Sequence, residues 1–470
     1  MNAATLRLYH RLPAGARSVV ATLRGHHLRR WRYGPETERL VAEALERESW
    51  SESQWSRYQS ELLDGILHRA ATKVPYYRNQ WAERRRHGDR SAWEDLSSWP
   101  VLEKDVLRAQ PRAFVAEDCD PRRMFKDHTS GTTGRSLGMW FSRDTVRRWY
   151  ALFEARARRW YGVSRHDRWA IVGGQLVTPI QQRRPPFWVW NSALNQLYLS
   201  VWHLTPEFSA RYFEALERYR IRYLLGYSSA LFVMAEEALR IGWHSSQLAV
   251  TISNAEPLLK HQRSAIEAAF GCSARETYGM AELVATASEC EARSMHLWPE
   301  LGVVETMDQG SPVEPGGTGD LVCTGLLNPD MPLVRYRVGD RAALPAEPVA
   351  CACGRSLPML GSIEGRSDDV VFTRDGRRIG QLESIFRINL PIREAQLVQE
   401  SLDRIRVRFV PDDGFGPEHE RVIVERLQLR LGDIQTVMEP VASVPRAANG
   451  KFRYVVSNLA PRERGAATNG

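Results

Sequence analysis

Residues 129–136 read TSGTTGRS, inside the longer stretch HTSGTTGRSLG of residues 128–138. From Thr129 to Gly134 the chain is an unbroken run of Ser, Thr and Gly. Such a run is too polar and too glycine-rich for a packed strand or helix, and two physical readings remain. One is a flexible linker, kept coil-like by Gly and Ser. The other is an anion cradle, where glycines let several backbone N–H groups converge on one phosphate and hydroxyls add donors. Composition alone does not choose between them. The neighbours weigh against a linker, because RRMFKDH precedes the run and strand-like LGMWFS follows it.

Working outward, 470 residues exceed what one hydrophobic core usually supports, so a large domain with a second, smaller one is expected. An apolar content of 43% and a charged content of 26% are those of an ordinary soluble protein. The best apolar stretch, Tyr223 to Met234, carries Ser228 and Ser229 and runs into Glu236 and Glu237, which excludes a membrane span there. No clean apolar block of a secretory signal is present, and six cysteines in so long a chain do not make a disulfide scaffold. A reducing, cytoplasmic setting is expected. The net charge of +8 is uneven: Met1 to Pro35 holds seven arginines and no acid. That segment reads as helix packed on the body through residues such as Leu6, Tyr9 and Leu12, or as a peripheral contact with a membrane or biosynthetic assembly. No nucleic-acid motif accompanies the charge, so nucleic acid is not an expected partner.

The spacing predicts helix over Glu36 to Ala70, with Pro75, Pro100 and Pro111 in extended connections. Beyond the Ser/Thr/Gly run, strand-like and helix-like segments alternate. A helix capped by Thr205 and running to about Tyr219 precedes a strand at IRYLLGY (221–227); another strand follows at LAVTIS (248–253), then a helix at HQRSAIEAAF. This alternation argues for α/β layering. GVVET, GDLVCTG and PLVRYRVGD are shorter strands. After Arg366, DDVVFTRDGRRI reads as a hairpin turning at Asp375–Gly376, AQLVQESLDRIRVRFV as alternating strand, and EHERVIVERLQLRLG as an amphipathic helix. The expected division is a domain over 1–365, with a helical, basic segment 1–70, and a small α+β domain over 366–470.

Further motifs decide the reading of 129–136. In order they are NAEPL (254–258), YGMAE (278–282), YRVGD (336–340), EGRSDD (364–369) and NGKFR (449–453). With TSGTTGRS they resemble the phosphate loop, adenine turn, Tyr-Gly-x-x-Glu, ribose, hinge and C-terminal lysine motifs of the adenylate-forming superfamily. ATKVPYYRNQW (71–81), WPVLEKDVLRAQ (99–110), LLGYSSAL (224–231) and CACGRSLPMLGSIEGRSDD (351–369) are similar to its phenylacetate–CoA ligase branch. YHRLP and the basic segment after it resemble a subgroup linked to capsule or exopolysaccharide genes, which implies a link to polysaccharide biosynthesis.

The resemblance implies a large adenylation domain with a small mobile lid, and activation of a carboxylic acid by ATP and Mg²⁺ to an acyl-adenylate. It assigns the phosphates to Thr129, Ser130, Gly131, Thr132, Thr133 and Gly134, with Thr132 also catalytic. Mg²⁺ falls to Glu282, consistent with its preference for a few carboxylates plus phosphate oxygens. Adenine falls to Ala255, Glu256, Pro257, Tyr278, Gly279 and Met280. Asp340 suits ribose hydroxyls because an ionised carboxylate accepts two hydrogen bonds, and Arg366 is the second ribose or phosphate contact. Lys451 is the rate-determining cation, a point charge able to bridge the substrate carboxylate and the α-phosphate. Asp368 is the hinge. Two departures stand out: Arg135-Ser136 replaces the branch's Lys-Pro, which implies a looser loop without ligand, and Asn254 stands where Gly usually opens the adenine turn.

Relatives place the acyl pocket near Trp140, Phe141, Tyr227, Ser228 and Ala255, with Phe187, Trp188 and Trp190 as further candidates; an aromatic lining suits an aryl or arylacetic acid, and packing of these aromatics in the core is the equal alternative. The acceptor is coenzyme A, or alternatively an amine; a non-catalytic nucleotide-binding scaffold is a third reading. Separately, Cys290, His296, Cys351 and Cys353 supply Cys₃His, a structural Zn²⁺ composition, and some members of the branch carry a similar cluster.

Overall fold

The computed structural model of the chain describes residues 3–128, 137–245, 247–314, 316–366, 371–374, 378–379, 382–386, 390–447 and 452–460. Helices dominate its first part, and they break where the sequence supplies stops and caps. α1 (Ala3–Arg11) and α2 (Ala14–Arg32) are separated by Pro13, and α3 (Thr37–Glu46) ends in a 3₁₀ turn. Ser51 then opens α4 (Glu52–Lys73) with a capping box, its hydroxyl accepting from the Gln54 amide while the Gln54 side-chain oxygen accepts from the Ser51 amide. The single helix expected over 36–70 is therefore two. Pro75, expected in an extended link, is instead the first residue of α5 (Pro75–Arg86), where a missing N–H leaves no bond unmade. α6 (Lys104–Ala109) follows.

β1 (Phe125–His128) and β2 (Gly138–Phe141) form an antiparallel pair with His128 opposite Gly138, and α7 (Arg143–Ala157) starts at the Ser142 cap. α7 carries a fully buried Arg156, whose guanidinium donates to both oxygens of Glu300 at 2.6 and 2.8 Å. Leaving either charge alone in that interior would cost roughly 3–5 kcal/mol.

The centre of the first unit is a sheet whose order is β15-β10-β9-β8-β7-β6-β3-β5-β4. Its members are β3 (Trp169–Gly173), β4 (Trp188–Asn191), β5 (Gln196–Ser200), β6 (Tyr223–Gly226), β7 (Val250–Ser253), β8 (Ser273–Gly279), β9 (Thr286–Glu289), β10 (Met295–Leu297) and β15 (Met359–Leu360). Strands β5, β3, β6, β7 and β8 run parallel. Their helical crossovers are α8 (Ser209–Arg218), α9 (Ser228–Ile241) and α10 (Lys260–Phe270), and the central β3, β6 and β7 are near-continuously buried because helices cover the sheet. Thr205 does not cap α8; its carbonyl accepts the amides of Phe208 and Ser209 in a turn, and the helix begins at Ser209. Phe187 is buried in the core and Trp188 and Trp190 pack half-buried against it: Phe187 stacks 4.5 Å from His203, Trp188 meets Tyr212 edge-on and Trp190 stacks on Tyr219.

The chain divides into two compact units, one of Met1–Gly317, Leu321–Val338 and Ala343–Gly361, the other of Thr318–Asp320, Gly339–Ala342 and Ser362–Gly470. β11 (Gly302–Asp308), β12 (Ser311–Pro312), β13 (Thr318–Gly325), β14 (Tyr336–Ala343) and β16 (Ile363–Arg366) form a sheet in the order β12-β11-β13-β14-β16. In the second unit β17 (Val371–Phe372) pairs with β18 (Arg378–Ile379), the stem of the expected hairpin; its turn, Asp375–Gly376, lies outside the described residues. β19 (Ile392–Ser401), β20 (Arg404–Pro411), β21 (Gln435–Pro440) and β22 (Val455–Ser457) form a sheet in the order β21-β20-β19-β22. The expected amphipathic helix is α11 (Pro417–Leu431), whose Ile423 and Leu427 bury against Leu397, Ile405 and Val407.

Candidate active site

β6, β7 and β8 lie side by side in register, Gly226 opposite Ser253 and Ser253 opposite Glu276. Three sequence segments therefore leave the sheet at the same edge: Tyr227 and Ser228 after β6, Asn254 to Leu258 after β7, and Met280 to Glu282 after β8. The carboxyl ends of parallel strands are where open α/β sheets bind ligands, because helix N-termini and turns converge there. The middle turn is tied down on both sides. The Asn254 amide donates to Gly226 O at 3.0 Å, the Leu258 amide to Glu276 Oε1 at 3.0 Å, and Thr277 Oγ1 to Ser253 O at 2.8 Å. Its left-handed residue is Ala255, at φ 63°. An Ala held there stores roughly 1–2 kcal/mol that the surrounding bonds must offset.

Glu256 turns its carboxylate to the start of α9, accepting from the Ser229 amide at 3.1 Å and from Ser228 Oγ at 3.4 Å, while Ser228 Oγ also donates to Pro257 O at 2.8 Å. An anionic side chain at a helix N-terminus is stabilised by the unpaired amides and the dipole. Ser228 and Glu256, read from the sequence as parts of two different subsites, are thus one bonded unit. Burial raises the Tyr227 hydroxyl above the usual tyrosine range, and Glu276, largely but not fully buried beneath the turn, is pushed up to about 7.

Glu282 is buried at the end of the β8 segment. Its Oε1 accepts from Lys104 Nζ at 3.0 Å and from Tyr336 Oη at 2.9 Å. The chain brings Lys104 there by laying Leu102 along the start of β14: the Leu102 amide donates to Arg335 O at 2.8 Å and the Arg337 amide to Leu102 O at 3.0 Å. Gly302 completes the support, since a Cβ at that position would fall 1.9 Å from Val284 O. Only glycine lets β11 pass so close to the chain that follows Glu282.

Trp140 is buried on β2, with its carbonyl accepting from Asn328 Nδ2 at 3.0 Å and Lys126 Nζ 5.3 Å over its ring; Phe141 is buried beside it. The candidate phosphate residues Thr129, Ser130, Gly131, Thr132, Thr133 and Gly134 fall between β1 and β2 and lie outside the described residues, as do Arg135, Ser136, Asp368 and Lys451. In the second unit Asp340 on β14 stands opposite Arg366 on β16.

The four candidate metal ligands converge at the end of β9. Cys290 and His296 flank the β9–β10 turn, where the Cys290 amide donates to Ser294 O at 2.9 Å, and Cys351 and Cys353 arrive on a tight turn closed by the Gly354 amide on Cys351 O at 3.0 Å. Their ligand atoms all lie within 4.8 Å of one another, with Cys290 Sγ 3.6 Å from Cys351 Sγ and Cys353 Sγ 3.4 Å from His296 Nε2. A tetrahedral Zn²⁺ with ordinary bond lengths needs about 3.8 Å between sulfurs and about 3.6 Å from sulfur to nitrogen. The residues fit. His296 Nδ1 donates to Leu357 O at 3.0 Å, which leaves Nε2 with its lone pair towards the thiols. Burial pushes the Cys290 thiol up to about 11; at Cys351 burial is outweighed by hydrogen bonds from Ser294 and Cys353, which bring it down to about 6.

The CapK C-terminal domain model matches residues 371–458. Phenylacetate-coenzyme A ligase of Aromatoleum evansii is 26% identical over 460 residues, covering 88% of this chain and 97% of that one. Protein CapK of Staphylococcus aureus is 25% identical over 371 residues, covering 78% and 81%. The chain is thus similar to adenylate-forming ligases of the phenylacetate–CoA ligase-like branch. Its fold is that of 2-hydroxyisobutyryl-CoA ligase, solved in a postadenylation state with an acyl-AMP, at a TM-score of 0.65 and 21% identity over 89% of this chain and 92% of that one. In this site, sequence reasoning overlooked Lys104 and Tyr336. Tyr336 lies within a quoted motif and Lys104 within a family-like stretch, but contacts 178 and 54 positions away in sequence leave no local signal.

Proposed function

We propose that the ligase activates an aryl or arylacetic acid with ATP to an acyl-adenylate, releasing pyrophosphate, and then passes the acyl group to coenzyme A. The observation that carries this is the meeting of three motif segments at the ends of β6, β7 and β8, with a buried carboxylate held on one oxygen by Lys104 and Tyr336. In this reading the turn at Ala255, Glu256 and Pro257 forms one wall for adenine and Tyr278, Gly279 and Met280 the other. Both hydrogen bonds to Glu282 fall on Oε1, which suits Oε2 to Mg²⁺; the cation would supply charge neutralisation between carboxylate and phosphates. Thr129 to Gly134, with Thr132 catalytic, take the β- and γ-phosphates, Asp340 and Arg366 the ribose, and Lys451 the charge that builds between the acid and the α-phosphate. Asp368 is the hinge between half-reactions. Trp140, Phe141, Tyr227 and Ser228 line the acyl side, and Ser228 also fixes the turn.

The Cys290, His296, Cys351 and Cys353 cluster would hold a structural Zn²⁺ and fasten the ends of β9 and β10 to the 351–354 turn. The alternative acceptor to coenzyme A is an amine in polysaccharide biosynthesis, the class implied by the resemblance of YHRLP and the basic segment after it to the capsule-linked subgroup. A cytoplasmic setting would keep the thiols reduced. Hydroxylamine trapping of activated acids, run over a panel of carboxylic acids, tests the first half-reaction: hydroxamate from an aryl acid, lost in Lys451→Ala, is expected. Hydroxamate with no acid, or undiminished in Lys451→Ala, would overturn it. Mass spectrometry of products formed with coenzyme A or with amines then identifies the acceptor.

A further inference from the structure

α1 and α2 use only part of their surface to hold the body. Tyr9 Oη donates to Val177 O at 3.1 Å, the buried Arg17 donates to Gln182 Oε1 at 2.8 Å, and Ser18 Oγ accepts the Trp190 amide at 3.2 Å. Gly25 closes against Asn191, where a Cβ would meet the side chain at 2.1 Å. Positions 18, 22 and 25 thus face the sheet edge at β4, and the stripe at 19, 23, 26 and 30 faces away at helical spacing. On that outer side Val19 is 59% and Leu23 66% exposed, followed by exposed His26 and Arg30; on α1, Leu8 is 65% exposed between exposed Arg7 and Arg11. Seven large hydrophobic side chains are exposed among the described residues, and three sit on these two helices.

We infer that the outer face of α1 and α2 docks on an anionic lipid surface, lying in the headgroup plane with Leu8, Val19 and Leu23 inserted. The charge carries the choice of partner: the first 35 residues hold seven arginines and no acid, and the first acid after them, Glu36, is already paired with Arg147 at 2.6 Å. Apolar side chains ringed by guanidinium groups match the headgroup boundary, where phosphate meets acyl chain. No described helix is long and apolar enough to cross a membrane, so the contact is interfacial. Docking there would deliver an acyl product beside a membrane-bound acceptor.

The test is co-sedimentation of the full chain with vesicles of phosphatidylcholine alone and of phosphatidylcholine mixed with phosphatidylglycerol. The wild type should partition onto the anionic vesicles roughly tenfold better than onto the neutral ones, and lose that preference at high salt. A Leu8→Ser, Leu23→Ser double variant should bind the anionic vesicles roughly tenfold more weakly. An Arg7→Gln, Arg11→Gln variant should lose the salt dependence first. All four positions are exposed, so melting temperature and ATP–pyrophosphate exchange should match the wild type, which separates this proposal from the adenylation reading. Failure to bind anionic vesicles, equal binding by the leucine variant, binding to single-stranded RNA but not vesicles, or a dimer sealed through Leu8 and Leu23 would each overturn it.

Discussion

Two neighbouring strands end in two differently built polar sites. At the end of β8 the buried Glu282 is held by the chain's own Lys104 and Tyr336, both on one carboxylate oxygen. At the end of β9 three thiols and an imidazole converge on one another, Cys290 on Cys351 and Cys353 on His296. The first arrangement aims a group that is already stabilised; the second concentrates soft ligands that repel one another once ionised, unless a cation sits among them. Substitutions at β8 should therefore move rates and spare the fold, and substitutions at β9 should do the reverse.

The largest expected effect is on the β9 side. Stripping metal with a strong chelator, or Cys353→Ser, should lower stability by about 4 kcal/mol if the site is filled at about a thousand times its Kd. Thermal unfolding together with metal analysis checks this: about one Zn²⁺ per chain before treatment, and a lower Tm after it. Next, Glu282→Gln should reduce ATP–pyrophosphate exchange by roughly 100-fold, about 2.7 kcal/mol, with Tm and metal content unchanged. Lys104→Met should cost roughly tenfold, about 1.4 kcal/mol, with Lys104→Arg recovering part of it, because the lysine acts through Glu282. A matching change in the Mg²⁺ dependence of the rate would distinguish positioning from packing.

Smallest is a pH effect. Burial raises Glu276 from 4.5 to about 7, so the folded chain binds the proton more tightly than the unfolded one. Stability is then highest below 4.5 and falls as pH rises through about 7. One-fifth of the side chain stays in water, which limits the change to about 1 kcal/mol. Glu276→Gln should flatten Tm across that window; an unchanged slope would refute the assignment.

How much was legible in the sequence depended on whether a feature was local. The strands at Tyr223–Gly226 and Val250–Ser253 and the helix at Lys260–Phe270 follow from runs of apolar residues and their spacing. Ordered motifs pointed to the β6, β7 and β8 ends before their adjacency was seen. Pro75 and Thr205 were misread because Pro suits both a break and a first helical turn, and Thr both a cap and a turn. The sequence left Phe187, Trp188 and Trp190 open between pocket lining and core, because an aromatic cluster carries no sign of which side faces a helix. Ala255 gave no hint of its left-handed backbone, since that conformation is imposed by bonds to Gly226 and Glu276 rather than by its own side chain. Lys104 was invisible for the same reason: its partner is chosen by the path of Leu102 along β14.

The most direct test of the central claim is acid-dependent ATP–pyrophosphate exchange, measured for the wild type, Glu282→Gln and Cys353→Ser in parallel. The account predicts exchange in the wild type with an aryl acid, near-complete loss in Glu282→Gln at unchanged Tm, and retained exchange at reduced Tm in Cys353→Ser. Exchange at the wild-type rate in Glu282→Gln would contradict it.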